Sequence, residues 1–162
     1  LLIADLINNA ERRIKEGKFD DAVARLYRTV ELIAQYTLRT AYGINTDDVD
    51  IGKIPENFRE RLRGQKGSDK KIKIGLYMAY ELLHSFGHKL GKMFLGDQEL
   101  QNLLTKRNYS ILAHGLNPIN KQTAEKLLEK VKTLAKEIID PEKLCEYLEN
   151  SKFPKLREII ES

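Results

Sequence analysis

Cysteine occurs once, at Cys145, so no internal disulfide is available to hold this chain together. That usage fits a reducing compartment, and the cytoplasm is the expected location. Proline occurs only 4 times, which leaves long stretches free of backbone breaks. No apolar run approaches the ~20 residues needed to span a bilayer as a helix, so no membrane is expected among the partners. No glycine-rich phosphate loop, internal repeat or convincing strand pattern is present. The opening Leu1-Leu2-Ile3-Ala4 has neither a Met nor a basic flank before it. It reads as the start of a helix rather than a signal peptide, with a further segment expected upstream.

What is present is a globular composition. The 162 residues are 41% hydrophobic and 32% charged, rich in Ala, Leu, Glu, Lys and Arg, the strong helix formers. The expectation is one domain over residues 1–162, all-α, built as an antiparallel helical bundle. Net charge is +4. Most of it falls between Arg59 and Lys73, where seven bases (Arg59, Arg61, Arg63, Lys66, Lys70, Lys71, Lys73) face two acids (Glu60, Asp69). Such a stretch attracts a polyanion, or is a solvated loop.

Apolar residues recur at helical spacing from Leu1 to Glu16, with Leu2, Leu6, Ala10 and Ile14 as the stripe and Gly17 as the stop. Asp20 is the expected N-cap of a second helix reaching Tyr42, with Val23, Leu26, Tyr27, Val30, Ile33, Ala34, Leu38 and Ala41 as its stripe. The short turn makes these two helices an antiparallel hairpin. An Asp-rich loop follows over 45–54, then a short helix from Pro55 to Gly64. One long helix is expected over about Lys71–Leu95, despite Gly75, Gly87 and Gly91. Each glycine weakens it by ~1 kcal/mol or permits close helix approach. Gly96-Asp97 is a stop followed by an N-cap. Further helices are expected from Asp97 to Ala113 or His114, from Asn120 to Ile139, from Pro141, and from Pro154.

The helix before Gly115 carries the most informative pattern. Its stripe is Leu100, Leu103, Leu104, Arg107, Ile111 and His114. Seven residues turn a helix by ~700° and rise ~10.5 Å, so Arg107 and His114 leave one face that is otherwise apolar. A guanidinium on an apolar stripe needs partners. The seam therefore meets internal acids, or it meets something outside the monomer, and a two-fold homodimer would serve. Spacing alone fits a structural Arg and a capping His better than a site.

With Asn108 directly after Arg107 and His114 six residues beyond it, the segment "RNYSILAHG" resembles the motif of HEPN-domain ribonucleases: Arg, four to six residues, His, often with a polar residue after the Arg. The opening "ERRIKEGKFDDAVARLYRTVELIAQ" and the "YGINTDDVD" loop extend the resemblance over nearly the whole chain. Together they look like the C-terminal HEPN effector part of CRISPR-associated CARF–HEPN proteins. The resemblance implies a metal-independent endoribonuclease in antiviral defence that cleaves single-stranded RNA at a composite site in a homodimer interface. It also implies an upstream CARF-like domain answering to cyclic oligoadenylate. Under it, His114 is the acid/base, Arg107 holds the phosphate, and Asn108 orients one or the other. A helix C-terminus favours charged His114, and neighbouring arginines oppose this. Arg63, Lys66, Lys70, Lys71 and Lys106 are candidate RNA contacts. No cofactor is expected. The alternative is a non-catalytic HEPN-like module that dimerises or binds nucleotide or RNA.

Glu81, His84 and His88 share a helix face, but no further ligand stands nearby in sequence, so no metal is expected. Tyr27, Tyr36, Tyr77 and Tyr80 either stack bases or sit at the core edge. Arg12, Arg13, Arg25 and Arg28 either line a dimer cleft or pair with Glu11, Asp21 and Glu31.

Overall fold

The computed structural model describes residues 2–63, 71–112 and 118–150, with the side chains at 108–112, 141, 144, 145, 147 and 150 left aside. Every regular element among the described residues is helical: α1 (Leu2–Lys15), α2 (Phe19–Tyr42), α3 (Glu56–Arg63), α4 (Leu76–Ser85), α5 (Lys89–Gly96), α6 (Gln98–Leu112), α7 (Lys121–Ala135) and α8 (Pro141–Asn150), with a 3-10 turn at Ile51–Lys53. The all-α expectation holds. No helix among the described residues is long and apolar enough to cross a membrane.

α2 is the spine. At 24 residues it is ~36 Å long, and it packs against α1, α4, α6 and α7. Val23, Leu26, Val30, Ile33, Ala34 and Leu38 are all fully buried. Removing each larger side chain from water contributes ~1.5–3 kcal/mol. Ala41, expected on this stripe, is instead exposed, because the helix runs past the core at its last turn. Gly43 ends α2 at φ 62°, where its amide and that of Ile44 satisfy the Arg39 and Leu38 carbonyls.

The hairpin of α1 and α2 is as read from the sequence, with Gly17 in its turn at φ 74°. Asp20, however, is not the N-cap. α2 begins two residues earlier, after Lys18, and Asp20 sits inside the first turn. There its Oδ1 accepts the amide of Ile119, 99 positions away.

The long helix expected over 71–95 is two. α4 and α5 are separated at Gly87, which has φ 74°, and His88 starts α5 by accepting the Leu90 amide on Nδ1 at 3.1 Å. The chain folds back so closely that a Cβ on Gly91 would lie 2.2 Å from the His84 backbone nitrogen. Only glycine fits there. Tyr80 of α4 is wholly buried, stacks on Phe94 at 4.1 Å, and donates its hydroxyl to the Val30 carbonyl at 2.8 Å, which ties α4 to α2. Burial pushes its phenol pKa far up, so it stays a neutral donor.

α7 starts at Asn120, whose side chain accepts the Thr123 amide at 2.8 Å, and it ends at Ala135 rather than Ile139. Tight turns through Ile139 replace its expected last turn. α8 packs on α1, where Asn8 donates to the Leu148 carbonyl at 2.7 Å. The helix expected from Pro154 lies outside the described residues.

Candidate active site

α6 leaves α5 through Asp97, which serves both helices. Its carboxylate accepts the Leu100 amide at 3.0 Å, the N-cap expected from the sequence, and grips Lys130 of α7 at 2.8 Å. Lys130 also reaches Glu99. Partial burial pushes the Asp97 pKa up, but the Lys130 ammonium and the capped amide outweigh it and hold the carboxyl below its usual range. The Lys130 and Lys126 ammonium groups lower Glu99 in the same way. The next turns bury Leu100, Leu103 and Leu104 between α2, α5 and α7.

Arg107 follows on the same stripe and is half-buried. Its guanidinium carbon lies over the ring of Tyr27 on α2, 4.5 Å from the centroid. Burial pushes the Tyr27 hydroxyl above its usual pKa, while the Arg107 cation pulls it back. Earlier on α6, the Tyr77 hydroxyl of α4 lies 3.3 Å from the Gln101 carbonyl, which accepts from it, and 3.4 Å from the Thr105 hydroxyl. α6 is thus braced from α2 and, on another of its faces, from α4. Asn108 is on α6, but its side chain is not among those described, and His114 lies outside the described residues.

A family model described as the Csm6 HEPN domain matches residues 1–138. The chain belongs to the Csm6 HEPN domain family. That match runs through α7, contains both Arg107 and His114, and stops before α8. No curated protein and no solved structure matches the chain.

In this Csm6 HEPN domain the basic stretch is partly absorbed by its own neighbours. Arg61 pairs with Glu81 of α4 at 2.8 Å and lies over the Phe58 ring, and Arg59 donates to the Ile54 carbonyl. Arg63 is exposed at the end of α3, Lys71 is exposed on the way to α4, and Lys106 is exposed on α6 beside Arg107. Lys66 and Lys70 lie outside the described residues.

Arg13 and Arg25 both pair with Asp21, and Arg28 pairs with Glu31, as one of the two readings had it. Of the four tyrosines, Tyr80 is core, Tyr27 and Tyr77 brace α6, and Tyr36 is 53% exposed. Among the described residues no three His, Cys, Asp or Glu groups are placed to hold a metal. Glu81 is engaged by Arg61, and His88 by the Leu90 amide.

Sequence reasoning treated Tyr27 as a base stacker or core-edge residue and Asp20 as a cap. Neither was connected with Arg107 or with the chain after His114. The contacts are non-local, and no periodicity reports them.

Proposed function

We propose that this domain is a metal-independent endoribonuclease of CRISPR-linked antiviral defence. It cleaves single-stranded RNA with Arg107, Asn108 and His114. The observation that carries the reading is the placement of Arg107: a guanidinium seated at a defined place on an apolar helix face, in a chain of the Csm6 HEPN domain family whose next histidine is His114.

The chemistry asks for little beyond these groups. RNA supplies its own nucleophile, the 2′-hydroxyl. That oxygen attacks the adjacent phosphorus while the bond from phosphorus to the 5′-oxygen breaks. The 2′-proton passes to a base, and the leaving 5′-oxygen takes a proton from an acid. His114 does this acid/base work, since imidazole titrates near neutral pH. The planar fork of Arg107 stabilises the crowded phosphate. Asn108 orients either one. The products are a 2′,3′-cyclic phosphate and a 5′-hydroxyl.

A two-fold homodimer that brings the C-terminal ends of its two α6 helices together supplies one His114 as base and the other as acid. Arg63, Lys66, Lys70, Lys71 and Lys106 guide the RNA backbone. An upstream CARF-like domain bound to cyclic oligoadenylate sets the arrangement of the two copies.

The test is incubation of an end-labelled single-stranded RNA in EDTA, with the chain alone and joined to a CARF-like domain with cyclic oligoadenylate. Cyclic phosphate ends, with the all-DNA analogue uncut, are expected. RNA left intact in both settings, by folded protein, overturns the reading in favour of a binding module.

A further inference from the structure

Arg107 and Ile119, which flank the proposed chemistry in the sequence, both contact α2. Arg107 lies over the Tyr27 ring at 4.5 Å. The buried Ile119 donates its amide to Asp20 Oδ1 at 3.5 Å. Tyr27 and Asp20 are seven residues apart on α2, a separation of ~700° and ~10.5 Å, so they stand on one face. Immediately after Ile119 the chain enters α7, which packs on α2. α2 itself packs against α1, α4, α6 and α7 and buries Val23, Leu26, Val30 and Ile33 completely, so it is held from several sides.

We propose that Tyr27 is a positioning residue of this site. Its ring sets where the Arg107 guanidinium meets the scissile phosphate, on the helix face that also receives the Ile119 amide. The inference rests on the ribonuclease reading above. A ring attracts a cation through its face and does not compete for the in-plane N–H groups that a phosphate takes, whereas a carboxylate in its place would. Small displacements of a group that stabilises the transition state are costly in rate. The ring, not the hydroxyl, carries this function.

The test compares Tyr27→Phe with Tyr27→Leu in the full chain under conditions where the wild type cleaves RNA. Tyr27→Met is a second way to remove the ring while keeping bulk. The Leu and Met variants lower kcat about tenfold, with KM changed less than twofold, and Tyr27→Phe retains the wild-type rate. In the same samples the Arg107 Nε–H resonance is shifted upfield by the ring in wild type and Tyr27→Phe, and relaxes toward its random-coil position in the other two. A folded ring-free variant with wild-type kcat overturns the proposal. So does Tyr27→Phe losing as much activity as Tyr27→Leu, since that would place the effect in the hydroxyl. A wild type that cuts no RNA overturns the ribonuclease reading, and the role in chemistry with it. The Arg107 resonance then still decides separately whether Tyr27 seats the guanidinium.

Discussion

The two ends of α6 are held by different physics. At the start, Asp97 caps the helix and pairs with Lys130, and Glu99 meets Lys126 and Lys130. Charge is neutralised there by charge, within the chain. Toward the end, a cation packs on an aromatic face, Tyr27 beneath Arg107. The first arrangement locks a helix in place. The second seats a guanidinium against a ring on a neighbouring helix.

Three substitutions sharpen that contrast. Leu104 lies between the ends and is fully buried. Leu104→Ala should cost about 3 kcal/mol of stability, read by urea unfolding, and should disturb both ends together. Arg107→Ala should instead lower cleavage about 100-fold, with a melting temperature within a few degrees of wild type. A large stability loss without a rate effect would make Arg107 structural.

The smallest effect is expected at the start of the helix. Asp97→Asn keeps the cap, since Asn caps as well as Asp, but loses the ion pair, at a cost of about 1 kcal/mol. The folded-state pKa of Asp97 is lowered, so its contribution is present above the unfolded value near ~3.9 and is lost as pH falls through the folded value. The stability gap between wild type and Asp97→Asn should therefore be open at neutral pH and close in acid. Cleavage at neutral pH should be unchanged.

Local signals were legible in the sequence, and long-range ones were not. Gly17 and Gly43 mark helix ends by their backbone freedom, Asp97 and Asn120 by their side-chain oxygens, and each is found at a helix end. The break at Gly87 was missed because the apolar pattern continues across it. The fold-back depends on His88 capping α5 and on Gly91 meeting the His84 backbone, both invisible to periodicity. Asp20 has the right chemistry for a cap but stands one residue inside the helix, where a distant amide claims it. The basic stretch lost part of its apparent surplus to Glu81, twenty residues from Arg61. At the site, the spacing of Arg107 and His114 drew attention to α6. The ring that seats Arg107 is 80 positions away, and only the folded chain brings it there.

The most direct test of the account is the cleavage rate of a labelled single-stranded RNA in EDTA, wild type against His114→Ala, with circular dichroism matched between the two. The account predicts a fall of about 100-fold or more in the variant, with helicity unchanged. Equal rates in two equally folded proteins would contradict it, because the acid/base work would then lie elsewhere.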